Sequence, residues 1–279
     1  MDLKREIRLI GADLDGTLLN DEKQLCPGAA ETIKKAAQRG VRFVPVTGRP
    51  FKGIPECVRS LESIDYVICA NGAQIINAKT EESVYSCAIS NEKSIELFNL
   101  LKAADCVFEP FCGGVCYTEQ EIFDSYIEYF RGSPVEEYLI STRVICNSVE
   151  ELFTKQKMCA DEFFVSCSGL EERNKISALL DRLGGVQYWY FDDKYIEITH
   201  EKCDKGETLK ALCKMLKIPV EQTMALGDAD NDLHLLKAAG ISVAMGNANE
   251  RIKENAVLIA DTNNNNGVCK LIEEVIKDG

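Results

Sequence analysis

The stretch from Ile7 to Thr17, IRLIGADLDGT, constrains the fold more than any other part of the chain. Ile7, Leu9 and Ile10 form a nearly continuous apolar run, which suits a strand covered on both faces of a parallel sheet. The run ends in Asp13 and Asp15, one residue apart, and then Gly16 and Thr17. In an extended chain positions i and i+2 point the same way. Two carboxylates facing one small volume disfavour each other's ionisation. Such an ending makes sense when a cation sits between them.

The pattern around this strand repeats. PGAAETIKKAAQRG reads as a helix with Pro27 near its start and Gly40 just past its end. VRFVPVTGR and DYVICANGA read as a second and a third apolar strand. The C-terminal part alternates in the same way, with KGETLKALCKMLKI a helix, TMALGD a strand, NDLHLLKAAG a helix and ISVAMG a strand. NANERIKENA, VLIAD and GVCKLIEEVIKD complete the series. Strands alternating with helices predict an α/β, doubly wound parallel sheet. The middle differs, being richer in aromatics and less regular, and VQYWYFDDKYIEITH predicts a hairpin turning at Asp192-Asp193. The expected organisation is a core domain over 1–83 and 199–279, interrupted by an inserted α+β domain over 84–198. The asparagine run Asn263 to Asn266 reads as a short surface loop.

A chain of 279 residues suits one large domain or two modest ones. Hydrophobic content of 46% and charged content of 28% are ordinary for a globular protein. No apolar stretch approaches the roughly 18 residues of a membrane span, and the N-terminus does not read as a secretory signal. A cytoplasmic protein with no membrane partner is expected. The net charge of −13 argues against a nucleic-acid partner, yet a few local cations suffice for a small phosphorylated ligand. The thirteen cysteines are expected to be reduced thiols. The tightest group, Cys106, Cys112 and Cys116, lacks the paired C-x2-C spacing of a structural zinc site.

In open α/β sheets ligands lie outside the carboxyl ends of the strands. The predicted core strands end in Asp13-Leu14-Asp15-Gly16-Thr17, Thr47-Gly48-Arg49, Asn71-Gly72-Ala73 and Gly227-Asp228-Ala229-Asp230-Asn231-Asp232. Carboxylates, small hydroxyls and glycines together suit a hard cation and a phosphate. Asp13, Asp15, Asp228 and Asp232 would repel one another strongly without a cation such as Mg²⁺, which takes oxygen ligands and commonly keeps waters. Taken singly, each motif has an ordinary structural explanation: Asp15-Gly16 or Thr47-Gly48 as a turn, Asp230 or Asp232 as a helix cap, Lys205 as a surface lysine. Their joint placement at strand ends is what points to chemistry.

DLDGT, TGR, Lys205 before a glycine, and GDADND occur in the order of the four motifs of the haloacid dehalogenase-like (HAD) phosphatases. The run MALGDADNDLHLLKAAGISVAMGNANERIKENA, and TNNNNGV near the end, resemble the Cof-type subfamily in particular. The resemblance implies a Rossmann-like core, Mg²⁺ as cofactor, and a small phosphorylated metabolite, a sugar phosphate or similar, as substrate. It also implies roles. Asp13 would be the nucleophile that forms an aspartyl-phosphate and a metal ligand. Asp15 would be the general acid and then base, giving its backbone carbonyl to the metal. Thr47, Gly48 and Asn231 would hold the phosphoryl oxygens, and Lys205 would neutralise them and Asp13. Asp228 would complete the metal ligands, while Asp232 would support the metal or the lysine. NDLHLL, which contains His234, differs from the N-D-x-x-M usual in the subfamily, and Lys202 is a competing lysine that no glycine follows.

The interval between Arg49 and Lys205 has room for a whole domain, the placement of the C2 cap class in its C2B form. Such a cap would exclude water and contact the leaving group. Glu109, Tyr117, Arg131, Arg143 and Tyr188 are its unranked candidates for substrate contact. The expected activity is a Mg²⁺-dependent phosphatase; the alternatives are a phosphomutase on the same scaffold or a binder of a phosphorylated ligand without turnover. The chain has no phosphate-binding G-x4-G-K-[ST] loop, no G-x-G-x-x-G fingerprint and no G-x-S-x-G setting for its two histidines, His200 and His234.

Overall fold

β1 (Leu9–Ala12) is buried along its whole length, as its apolar sequence demands. The computed structural model describes residues 6–190 and 193–277. Two units are distinguished: Met1–Gly48, Ile54–Val84 and Asp204–Gly279 in one, Arg49–Gly53 and Tyr85–Cys203 in the other.

In the first unit β2 (Arg42–Pro45) lies parallel to β1, with Gly11 opposite Val44 and Ala12 opposite Pro45. The helix between them, Ala29–Gln38, buries Ala29, Thr32, Ile33 and Ala36, a spacing that puts one stripe inward. β3 (Tyr66–Cys69) continues from β2 through a parallel bridge, Val46 to Ile68, and then pairs antiparallel with β4 (Gln74–Asn77). β5 (Ser83–Ser86) is the outer strand of that small sheet, and the boundary between the units falls within it, after Val84. The continuous apolarity of VRFVPV and DYVIC is thus explained by burial, since Val44, Val46, Val67 and Ile68 are nearly inaccessible.

The second unit is an α+β body on a six-stranded sheet. Its strands are β6 (Val107–Cys112), β7 (Val115–Glu119), β8 (Arg143–Cys146), β9 (Glu162–Ser166), β10 (Val186–Tyr190) and β11 (Tyr195–His200). The order is β10-β11-β9-β6-β7-β8, antiparallel throughout except for β7 with β8. Phe108, Phe153 and Phe163 form its centre with ring centroids 5.6 to 5.9 Å apart along the chain of contacts. The turn expected at Asp192-Asp193 falls partly outside the described residues, but β10 and β11 on either side pair antiparallel. Arg49–Gly53 clusters with this unit because the Lys52 N–H donates to the Gly114 carbonyl at 3.0 Å and the Arg49 guanidinium lies 4.8 Å over the Tyr138 ring.

Back in the first unit, β12 (Thr223–Gly227), β13 (Ile241–Ala244) and β14 (Leu258–Ile259) complete a parallel five-stranded sheet in the order β14-β13-β12-β1-β2. One expectation is corrected here. Asn263 is no surface residue: it is 2% exposed, and its Nδ2 donates to the Leu19 carbonyl at 3.1 Å and to Asp21 Oδ1 at 3.0 Å. A buried carboxamide needs partners, and the segment after β1 supplies them.

Candidate active site

Asp204 caps the helix Lys205–Leu216 by accepting the Glu207 N–H at 2.6 Å, and this sets Lys205 in the first turn. The Lys205 side chain is 1% exposed. Its ammonium donates to Asp13 Oδ1 and to Asp232 Oδ1, both at 2.7 Å. Burial alone would lower the Lys205 pKa, but Asp13 and Asp232 outweigh it and hold the ammonium charged above the ordinary lysine range. Asp13 follows β1 directly and is tied to β12 by its N–H, 3.0 Å from the Leu226 carbonyl. Burial, with Asp232 and Asp228 nearby, pushes the Asp13 carboxyl well above its usual range, and Lys205 opposes the shift.

Asp228, just past β12, accepts the Thr17 hydroxyl on Oδ1 at 2.8 Å. Burial first, then Asp232, raises its pKa to about 6. Gly16 has φ +83°, and a Cβ there would lie 2.3 Å from Asp228 Oδ2. Only glycine combines that left-handed turn with so close an approach. Carboxylate oxygens of Asp13, Asp228 and Asp232 lie within 4.8 Å of one another. An all-oxygen, all-anionic donor set at this spacing fits a hard divalent cation such as Mg²⁺. Asp232, however, has both oxygens engaged. Oδ1 takes Lys205, and Oδ2 accepts the N–H groups of Asp228 at 3.0 Å and Ala229 at 3.1 Å.

Asp15 departs from the expected geometry. β1 ends at Ala12 and a turn begins at Leu14, so the same-face rule does not reach Asp15. Its carboxylate pairs with Lys23 at 2.9 Å and does not join the three-carboxylate group. Thr47 and Gly48 follow β2 and β3's bridge partner: the Thr47 N–H donates to the Ile68 carbonyl at 2.9 Å, and Thr47 is 2% exposed. Asn231 Nδ2 donates to Asn71 Oδ1 at 3.1 Å. All eight expected site residues, Asp13, Asp15, Thr47, Gly48, Lys205, Asp228, Asn231 and Asp232, thus belong to the first unit.

Three residues gained no role from the sequence. Thr17 orients Asp228; Asn247 Nδ2 donates to the Gly16 carbonyl at 2.8 Å; and Asn71 touches Asn231. Asn71 and Thr17 stand at strand ends singled out by the sequence, and Asn247 lies within the run that resembles the Cof-type subfamily, so each carried a usable signal. Lys202 is exposed and belongs to the second unit. His234 Nδ1 lies 3.5 Å from Asp204 Oδ2, at the helix start. Among the candidates in the second unit, Glu109 and Arg143 engage each other at 2.9 Å, with side chains 1% and 7% exposed. Tyr188 donates its hydroxyl to Asp181 at 2.9 Å, Tyr117 packs against the apolar core, and Arg131 is exposed.

The haloacid dehalogenase-like hydrolase family model matches residues 10–272. The chain belongs to this family. Phosphatase YwpJ of Bacillus subtilis is 30% identical, over 97% of this chain and 100% of that protein. 5-Amino-6-(5-phospho-D-ribitylamino)uracil phosphatase YcsE of the same organism is 28% identical, over 98% of each. Among solved structures, a haloacid dehalogenase-like hydrolase from Bacteroides thetaiotaomicron superposes with a TM-score of 0.83 at 27% identity, covering 96% of this chain and 99% of that one. This haloacid dehalogenase-like hydrolase is a phosphoric monoester hydrolase. No helix among its described residues is long and apolar enough to cross a membrane.

Proposed function

We propose that the protein is a Mg²⁺-dependent phosphatase of small phosphorylated metabolites, working through an aspartyl-phosphate on Asp13. The observation that carries this reading is the Lys205 ammonium shared between Asp13 and Asp232, 2.7 Å from each, beside Asp228. Asp13 and Asp228 are the carboxylates that would hold the cation. Asp232, whose Oδ1 takes Lys205 and whose Oδ2 takes two backbone N–H groups, holds the lysine and the loop after β12 beside that cation. The bound cation would supply positive charge against the phosphoryl oxygens and Asp13.

In the first half-reaction an Asp13 oxygen bonds to phosphorus while the bond from phosphorus to the leaving oxygen breaks. Asp15 gives its proton to that oxygen, exchanging its present partner Lys23 for the leaving group. Thr47, the Gly48 backbone and Asn231 hold the phosphoryl oxygens, and Lys205 offsets the charge on Asp13. In the second half Asp15 takes a proton from water, the water oxygen bonds to phosphorus, and the Asp13–phosphorus bond breaks to release phosphate.

YcsE carries a phosphorylated ribityl compound in its name. That relative supports a phosphorylated sugar or sugar-like metabolite as substrate here. The test is phosphate release from p-nitrophenyl phosphate with Mg²⁺, with chelator, and with Asp13→Asn. Turnover that survives the chelator or the substitution would refute the mechanism; a sugar-phosphate panel then addresses the substrate.

A further inference from the structure

Ala70 and Asn71, at the end of β3, both hold left-handed backbone, with φ of 48° and 52°. Residues with a Cβ visit that region seldom, asparagine more readily than alanine, and two in succession form an outlier that asks for a purpose. The contacts show what the turn achieves. The Asn71 N–H donates to the Thr47 carbonyl at 3.1 Å, and Asn231 Nδ2 donates to Asn71 Oδ1 at 3.1 Å. The same carboxamide lies against Gly48, where a Cβ would come within 3.1 Å of Asn71 Nδ2. Next, Gly72 presses on the start of the Lys205 helix: a Cβ there would lie 2.5 Å from the Asp204 carbonyl oxygen. The Gly72 carbonyl accepts the Thr208 hydroxyl at 2.7 Å. One short turn therefore meets three separate stretches of the site, and Asn71 within it is 2% exposed.

We propose that Asn71 is a positioning residue for phosphoryl transfer, its carboxamide oxygen fixing the orientation of the Asn231 carboxamide. The inference rests on the role proposed above for Asn231. An acceptor on Asn71 selects which end of Asn231 faces it, because the reversed amide would set oxygen against oxygen. The NH₂ group so placed keeps its second N–H for a phosphoryl oxygen. The left-handed backbone is the means: it turns the Asn71 side chain onto Gly48 and Asn231 while its N–H stays on Thr47.

Asn71→Gly separates the two properties, since glycine adopts the left-handed turn freely and lacks the carboxamide. It is compared with Asn231→Ala and the double variant by kcat and KM for p-nitrophenyl phosphate with Mg²⁺, and by thermal melting. The expected result for Asn71→Gly is a folded protein with a cooperative melt and a kcat lower by about tenfold, with KM within about twofold. The double variant is then no slower than Asn231→Ala alone. A wild-type kcat in Asn71→Gly beside a slow Asn231→Ala would leave Asn231 its role and overturn the inference. Independent, multiplying losses would also overturn it, because Asn71 would not act through Asn231. A silent Asn231→Ala would remove the role of Asn231 itself and the inference with it.

Discussion

The Lys205 ammonium lies 2.7 Å from Asp13 Oδ1, and the two side chains are 1% and 9% exposed. With Asp232 equally close, one cation answers two carboxylates in a place that water scarcely reaches. Removing it would strand both. Lys205→Met should lower kcat by about 100-fold or more and destabilise the fold by about 3 kcal/mol. Steady-state kinetics and a denaturant melt check both effects. A variant as stable as the parent would contradict the pairing.

Asp228 gives a pH dependence of definite sign. Its folded-state pKa is raised to about 6, so in the metal-free protein its ionisation opposes folding above that pH. Asp228→Asn should therefore raise the melting temperature of the metal-free protein at pH 7.5. The gain should shrink as pH falls through about 6 toward the ordinary carboxylate range. Mg²⁺ should raise the melting temperature of the parent and not of the variant. Melting curves across pH 4.5 to 8, with and without Mg²⁺, test all three statements.

Gly16→Ala would place a methyl 2.3 Å from Asp228 Oδ2 on a backbone with φ +83°. Strain and a displaced Asp228 are both expected. The loss should be tenfold or more in kcat, with about 1–3 kcal/mol of stability. Weaker apparent Mg²⁺ affinity in an activity titration would mark the displaced carboxylate.

Asn263→Ala should destabilise by about 1–3 kcal/mol, because the Leu19 carbonyl and Asp21 lose a buried donor. The segment after β1 should then be cleaved faster in limited proteolysis. Equal cleavage rates would mean that Asn263 does not hold it.

Glu109→Ala should cost about 3–5 kcal/mol, since it leaves the Arg143 charge buried without this partner. Replacing both residues by methionine should restore much of the stability. Chemical denaturation of the two single variants and the double variant measures the coupling.

Much of the site was legible because its residues sit at ends of buried strands, where an apolar run stops and polar residues begin within one or two positions. β1 to Asp13, β2 to Thr47 and β12 to Asp228 all follow that rule. Asp15 marks where it stops being useful. An extended chain would face Asp15 with Asp13, but a turn begins at Leu14, and the Asp15 carboxylate meets Lys23. Within the asparagine run, Asn264 and Asn265 are exposed as a surface loop requires, and only Asn263 departs, for a related reason. Composition describes an average loop, while Asn263 is buried by a partner segment more than two hundred residues away.

By itself, the sequence determined the alternation of strand and helix, the motifs at the strand ends and the identity of the charged groups, because these depend on local periodicity and residue chemistry. Only the tertiary structure decided how those charges are shared. Whether Lys205 meets one carboxylate or two, what each Asp232 oxygen accepts, and which amide meets Asn231 depend on distances near 3 Å between residues far apart in the chain. Hydrogen bonds and buried ion pairs change sharply over such distances. No pattern along the chain encodes them, since they arise when separate strands are brought side by side.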